Sequence, residues 1–579
     1  MLPYRPPVED TMFLLRDVFK IHEDWASWSK FNEVDLDLAQ AILEQSGKFA
    51  AEVMGPVSQS ADQEGAQWRD NEVYAPSGYK EAFDGVVSGG WLSLTGNPEY
   101  GGQGLPAVLS IGVEEYFWGA NTTLWLYASL TVGAAHCIDV FCDEATKEKY
   151  LPPMYEGKWT GAMALTEPHA GTDLGLLRTK ATPSEDGSYR LKGTKIFITS
   201  GEHDLAENII HLVLAKLPDA PSGSKGISLF LVPKFLVNDD GTLGTRNSFF
   251  SASIEEKMGI HGSATSTIIY DDAIGYLVGA PHHGLAGMFV MMNAARLSVG
   301  IQGLGAAERA YQLASDYVKE RRQGRAVQRS PDATAEADPI VEHADVRRMM
   351  LTQRAFTEGG RAFAIFVAHQ IDRARFAESP EDQVQATKFV ELLTPIAKAF
   401  LTDRAMDSTL HAQQCFGGHG YIRETGIEQL VRDTRITQIY EGTNGVQAWD
   451  LVRRKVLLNR GEFVEEFAAY MREKNTAGSH KEAVDGVINE WLDCTKLILE
   501  RSSNTLEFAA GNAVDYLEMS GLVIYAWLWN QMSSLDDDHL KKKFTAEFYF
   551  DRILPKIPSL FATIRNGTDS LHTPESNWF

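Results

Sequence analysis

Cysteine is scarce in this chain: 579 residues hold four, Cys137, Cys142, Cys415 and Cys494. None are spaced as CxxC, so neither a disulfide scaffold nor a zinc knuckle is indicated, and they read as buried thiols. Positive charge is in deficit, with 54 Lys and Arg against 78 Asp and Glu and a formal charge of -24. Such a surface repels a phosphate backbone and argues against a nucleic-acid partner. Long apolar runs are missing too. The stretch 521–529 falls well short of the ~20 residues that span a bilayer, so an integral membrane protein is not expected. The opening MLPYRPPVEDTMF has no basic segment followed by an apolar one, which makes the cytoplasm the expected location. His136 beside Cys137 and the pair His282-His283 lack a second cluster at ligand spacing, so no metal site is expected. The phosphate-loop pattern GxxxxGK[ST] is absent. Gly300, Gly303 and Gly305 follow a helical stretch rather than a strand, so they read as close helix packing and not as a dinucleotide-binding turn.

What is present is globular. The chain is 44% hydrophobic and 23% charged, without repeats or low-complexity tracts. Its length calls for several packed units. Apolar periodicity predicts a helical domain over 1–160, interrupted by a glycine-rich turn at 97–104. Short β-rich runs at 189–192, 195–199, 209–214 and 226–232 predict a central β domain of antiparallel type over 161–283. Asp186-Gly187 and Gly193-Thr194 supply its turn chemistry. Helix periodicity returns over 284–460, with helices at 288–322, 341–375 and 380–414 and a loop at 323–339. A polar break at 474–479 precedes a last helical block from 481 to about 565, within an additional C-terminal unit at 461–579. The fold class is therefore mainly α with a central β domain.

Several segments carry chemistry. Ala164-Leu-Thr-Glu-Pro-His-Ala-Gly-Thr-Asp173 places backbone amides and the Thr166 hydroxyl at a β-domain edge, suited to a polar heterocycle and equally to an ordinary proline turn. Phe197 and Thr199 alternate along a strand, so an aromatic and a hydroxyl share one face; a half-buried strand face has the same pattern. Gln414, Gly417 and Gly418 end a long helix, where glycine lets backbone approach a ligand or merely caps the helix. Arg296 suits a phosphate or a helix-face ion pair. Glu441, in Ile439-Tyr-Glu-Gly-Thr-Asn-Gly445, is a carboxylate fit for proton removal.

At 164–173, at 414–421 and at 439–445, in that order, the sequence resembles the acyl-CoA dehydrogenase family, and the likeness extends over about residues 34–455. The resemblance implies a helical, β-barrel and helical-bundle architecture, FAD as cofactor and an acyl-CoA as substrate. It implies that Leu165, Thr166, Phe197 and Thr199 surround the flavin ring, with Phe197 in place of a common tryptophan so that stacking carries over and an indole N–H does not. Gln414 and Gly418 would contact the adenosine side across a subunit boundary, and Arg321 and Gln323 would reach the pyrophosphate of a neighbouring chain. Because the run reads Arg321-Arg322-Gln323-Gly324-Arg325, it leaves open which arginine faces the phosphates. Thr443 and the backbone of Gly445 complete the cofactor set, and Thr172, Asn293, Arg296 and Gly442 the substrate set.

Glu441 is implied as the base that takes the α-proton while the β-hydride passes to flavin N5, releasing a trans-2-enoyl-CoA; its N–H and a ribityl hydroxyl would hold the thioester carbonyl. Some relatives place the base where Ala295 stands here, a residue unable to accept a proton; Glu167 and Glu424 are read as structural. An electron-transfer flavoprotein as acceptor, a homodimer and a role in fatty acid β-oxidation follow from the same resemblance. The C-terminal extension resembles that of long-chain-acting relatives and of the subgroup containing 3-methylmercaptopropionyl-CoA dehydrogenase. A medium- to long-chain straight acyl-CoA is the expected substrate. The alternatives are the 3-methylmercaptopropionyl thioester, an oxygen-using oxidase and, from a different class, a non-catalytic scaffold.

Overall fold

A computed structural model describes residues 3–327, 334–535 and 540–578. The fold is mainly helical with a central β domain, and the chain divides into two compact units, one of Lys48–Pro106 with Ala120–Ala295 and the other of Leu2–Gly47, Ala107–Gly119 and Arg296–Phe579.

The first unit is built on a seven-stranded sheet. Its path runs Phe249–Ile254, Thr265–Val278, Tyr189–Thr199, Lys180–Pro183, Asn208–Lys216, Trp159–Ala164, and Ile227–Pro233 pairs with both Asn208–Lys216 and Thr265–Val278, so the sheet closes on itself. Register shifts in Thr265–Val278 between Ser266 and Ile268 and between Asp271 and Ala273 supply the curvature that closure needs. Closure buries both faces of the inner strands: Asn208–Lys216 and Ile227–Pro233 are buried almost throughout. One face, with Val213, Phe230 and Val232, joins a cluster around Leu191, Phe249 and Ile268. The other, with Ile210, Leu212 and Leu229, packs against Ile138, Leu151 and Met288. This double burial explains why these strands read as continuous apolar runs.

Two expectations for this domain are corrected. It is not purely antiparallel, because Trp159–Ala164 and Lys180–Pro183 both pair parallel with Asn208–Lys216. Gly193-Thr194 is not a turn but the middle of one 11-residue strand, Tyr189–Thr199. Glycine stands there because a Cβ on residue 193 would lie 2.3 Å from Thr179 Oγ1. The Asp186-Gly187 turn is present, with Gly187 at φ 83°.

In the second unit the helices Ala344–Phe376 and Pro380–Cys415, with the part of Gly284–Glu320 from Arg296 onward, form the bundle. Gly303 lies against Thr402 and Ala405, and Gly305 against Glu115 and Gly119, so the glycine run at 300–305 does serve close helix packing. Of the expected loop at 323–339, residues 328–333 lie outside the described residues, as do 536–539 of the last helical block. Two helices, Ala107–Phe141 and Gly284–Glu320, are long and apolar enough to cross a membrane by composition alone, but 61% and 50% of their apolar windows are buried inside the protein. They are core helices. Ala107–Phe141 is moreover broken at Asn121, whose φ of -158° is non-helical and whose side chain accepts from Leu124 N at 3.0 Å, recapping the chain beyond the break.

The C-terminal extension packs on this bundle. Trp529 Nε1 and Tyr525 Oη each donate at 3.2 Å to the carbonyls of Ala355 and Phe356, and Arg404 pairs with Glu518 at 2.8 Å. Beside that contact lies a buried ion cluster. Arg361 Nη2 meets Glu115 Oε1 at 2.6 Å and Glu308 Oε2 at 2.7 Å, its Nη1 meets Asp10, and Lys542 bridges Asp10 to Glu358 at 2.7 Å. Burial raises the Asp10 carboxyl, but Lys542 and Arg361 bring it down to about 2. Arg361→Ala leaves Glu115, Glu308 and Asp10 without their shared cation and is expected to cost about 3–5 kcal/mol, read as a lower midpoint in urea or thermal unfolding; an unchanged midpoint would show that the cluster does not hold the unit together.

Candidate active site

Glu441 lies where the chain turns sharply between Ile436–Gln438 and helix Asn444–Asp450. Its φ of 57° is left-handed, and Gly442 follows at 84°. A non-glycine residue held there costs about 1–2 kcal/mol, and such strain gathers at functional sites. The turn persists because its carbonyls are held from both sides. Gln447 Nε2 donates to Glu441 O at 3.0 Å, and Lys398 Nζ donates to Gly442 O at 2.9 Å and Asn444 Oδ1 at 2.8 Å. The Asn444 amide nitrogen in turn lies 2.9 Å from Thr402 Oγ1 and 2.7 Å from Asp403 Oδ1, tying the turn to helix Pro380–Cys415. Thr443 caps the next helix through Val446 N at 3.3 Å.

Among the described residues the Glu441 carboxylate accepts no hydrogen bond, and its lone pairs stay available. Burial raises its pKa above the usual carboxylate value, and the cations Arg296 and Lys398 partly oppose that shift. Arg296, buried on helix Gly284–Glu320, reaches Asp450 Oδ2 at 3.4 Å. Burial pushes Lys398 down to about 8 against the pull of Glu441 and Asp403. The arrangement is a buried carboxylate of raised basicity whose shift two buried cations oppose, a combination suited to accepting a proton from carbon.

Elsewhere in the second unit the residues expected to contact the cofactor are open to solvent. Gln414 is exposed, and a Cβ on Gly417 or Gly418 would meet nothing within 4 Å. Arg322 donates to Ala337 O at 3.1 Å and Arg325 pairs with Asp338 at 3.4 Å, whereas the exposed Arg321 side chain has no partner among the described residues. Of the three arginines, Arg321 is the one whose side chain no described residue engages. Gln323 is exposed and its carbonyl accepts from His343. Gly445 is exposed, and nothing lies closer than 3.9 Å to an added Cβ.

The first unit carries the other expected residues. The turn at Glu167 and Ala170 is closed by paired backbone bonds of 3.1 and 3.0 Å, with Thr166 O accepting from Ile196 N at 2.9 Å. Glu167 is buried and fully engaged, by Arg178 N, Thr179 and Lys195 Nζ at 3.0 Å, as its structural reading requires. Phe197 is 60% exposed. Regular alternation of Phe197 and Thr199 is interrupted, since Phe197 has φ 59° at a bulge where Ile196 and Phe197 together face Thr267. Both nevertheless flank the buried Ile198 on the outer side. Leu165 and Thr166 are half-buried, Thr172 and Asn293 are exposed, and Ala295 is half-buried. Glu424 is exposed in a short turn, Arg423–Thr425.

Sequence reasoning missed Lys398, Asn444 as a side chain, and Lys195, which is buried beneath the Leu165 carbonyl at 2.8 Å. The available signal for Lys398 was a single charge inside the apolar run Ile396-Ala-Lys-Ala-Phe400.

Comparisons with known proteins give the family. Sequence models of the acyl-CoA dehydrogenase N-terminal, middle and C-terminal domains match residues 37–158, 162–273 and 282–457, and an acetyl-CoA dehydrogenase C-terminal-like model matches 462–573. The 3-methylmercaptopropionyl-CoA dehydrogenase of Ruegeria pomeroyi is 44% identical over 81% of this chain and 79% of its own. A butyryl-CoA dehydrogenase of Syntrophomonas wolfei is 31% identical over 95% of this chain and 96% of its own. The fold matches the FAD-complexed acyl-CoA dehydrogenase of Bacillus anthracis with a TM-score of 0.74, at 20% identity, over 95% of this chain and 91% of that one. The chain belongs to the acyl-CoA dehydrogenase family, oxidoreductases acting on CH–CH bonds.

Proposed function

We propose that the chain oxidises the Cα–Cβ bond of an acyl-CoA thioester, with Glu441 removing the α-proton. The observation that carries this reading is the Glu441 carboxylate, held at a left-handed turn with free lone pairs beside Arg296 and Lys398. The α-C–H of a thioester is weakly acidic, so the base needs a raised pKa and the departing charge a positive surround. Both are supplied by the second unit's own side chains.

The residues present fit FAD. Phe197 offers an uncovered aromatic face, Thr166 and Thr199 offer hydroxyls next to it in the chain's first unit, and Leu165 adds apolar surface. Gln414 and Gly418 offer an amide and open backbone for the adenosine, Thr443 and Gly445 line the turn after the base, and Arg321 with Gln323 offers an unengaged guanidinium and amide for a neighbour's pyrophosphate. FAD, when bound, supplies the acceptor for the hydride leaving Cβ. Thr172, Asn293, Arg296 and Gly442 are the substrate contacts. Because Arg296 is already directed at Asp450, its part is to set charge around the thioester more than to grip a phosphate. Proton transfer to Glu441 neutralises the carboxylate, and the trans-2-enoyl-CoA is released.

For the acyl group we favour a straight chain of medium to long length, processed in fatty acid β-oxidation by a cytoplasmic homodimer that passes electrons to an electron-transfer flavoprotein. The 44% identity to the Ruegeria enzyme favours a second reading, a short thioether acyl group.

Three outcomes test this. Glu441→Gln is expected to retain flavin while turnover falls by at least about a thousandfold, the scale on which general bases act; near-normal turnover would remove Glu441 as the base. In a series from butyryl- to palmitoyl-CoA with 3-methylmercaptopropionyl-CoA included, kcat/KM is expected to climb over successive lengths at about 0.8 kcal/mol per buried methylene. A maximum at the short end selects the thioether reading, and hydrogen peroxide formed in step with product would make the enzyme an oxidase. By sedimentation, the smallest active species is expected to be a dimer, and a fully active monomer would refute sites shared between chains.

A further inference from the structure

The Glu441 turn leans on a charge that its folding alone does not require. Lys398 projects from the buried stretch Leu392–Leu401 of helix Pro380–Cys415 and is itself fully buried. Its ammonium donates to Gly442 O and Asn444 Oδ1. Both acceptors are neutral, and an amide could serve them without the penalty of burying a cation. Among the described residues Lys398 has no ion-pair partner, in contrast to Arg296, whose charge is met by Asp450 at 3.4 Å. Asp450 is also held by Arg454 at 3.2 Å. The charged and titratable groups around the base are therefore Arg296 from helix Gly284–Glu320, Lys398 and Asp403 from helix Pro380–Cys415, Asp450 from helix Asn444–Asp450 with Arg454 beyond it, and Tyr440 in the turn itself. Asp403 is occupied by the side-chain amides of Asn444 at 2.7 Å and Gln438 at 2.6 Å. Of the two cations near Glu441, Lys398 is the one whose charge no ion pair answers.

We propose that Lys398 is a positioning residue for the base: through Gly442 O and Asn444 Oδ1 it fixes the strained turn, and its buried positive charge acts on the Glu441 carboxylate without occupying a lone pair needed for the α-proton. The inference rests on the reading of Glu441 as base and deepens it. A direct hydrogen bond from Lys398 would steady the carboxylate equally well but would have to break in the proton-transfer step. A cation whose hydrogen bonds go to the Gly442 carbonyl and the Asn444 side-chain oxygen acts on the carboxylate through its field.

The test is the pH dependence of kcat/KM in the full-length flavoprotein. Its acid limb reports ionisation of the base in the free enzyme, and activity is lost as pH falls through that value. Lys398→Gln keeps a donor and removes the charge, Lys398→Met removes both, and Lys398→Arg keeps the charge with altered geometry. The acid limb is expected to move up by about one pH unit in the glutamine and methionine variants, a roughly tenfold loss on that limb. The arginine variant should keep the wild-type limb even where its kcat is lower. A glutamine or methionine variant whose limb coincides with wild type overturns the inference. Misfolding of both uncharged variants overturns it as well, since a role in the fold then accounts for the residue. Glu441→Gln separates the two readings: if it remains active, the base assignment and this inference fall together, whereas an inactive Glu441→Gln with an unmoved limb in Lys398→Gln removes only the role of Lys398.

Discussion

Arg361 is buried on helix Ala344–Phe376 with three carboxylates around one guanidinium, and those carboxylates come from parts of the chain that are far apart in sequence. Asp10 lies in the N-terminal segment, Glu115 in the first part of Ala107–Phe141, and Glu308 on Gly284–Glu320. Through Asp10 and Glu358, Lys542 adds the C-terminal extension to the same cluster. A buried charge must be matched, and here it is matched only when all these segments are docked, so the cluster acts as a condition on assembly of the second unit more than as a source of net stability. Gly284–Glu320, which is fixed there by Glu308, also carries Arg296, so the same docking sets one of the two cations near Glu441.

Around Glu441 the second unit solves a different electrostatic problem. A carboxylate taken out of water gains basicity, and cations near it favour its charged form. Burial supplies the first effect and buried cations the second. The cations are kept off the carboxylate by other partners, Asp450 for Arg296 and the turn's own carbonyl and amide for Lys398. The left-handed backbone of Glu441 is held by this same web, which is how a strained turn persists in a structure with little freedom to relax.

In the first unit the strain at Phe197 has a parallel origin. The bulge that helps the sheet curve and close also throws this aromatic outward at a positive φ, between two half-buried or buried neighbours. Lys195, buried beneath the Leu165 carbonyl and paired with Glu167, braces the adjoining turn from inside. In both units, then, a buried lysine steadies a loop whose outer side is left open.

The order of helical and β segments, the long helices of the bundle, the left-open glycines at 417–418 and the glutamate at 441 were legible in the sequence, because each depends on local periodicity, on a residue type or on a motif of neighbouring residues. The continuity of Tyr189–Thr199 through Gly193-Thr194 was not, since that glycine answers to Thr179, just before the strand Lys180–Pro183, and not to a turn. Nor were the parallel strand pairs, which depend on how the sheet closes. Which of Arg321, Arg322 and Arg325 remains unengaged was open in the sequence and is decided by the carbonyl of Ala337 and the carboxylate of Asp338. By itself the sequence determined the residue types available for the chemistry and their order along the chain. Only the tertiary structure decided that Lys398, far from Glu441 along the chain, would stand behind its turn, because a lysine's charge acts through space and burial, neither of which is written in local spacing.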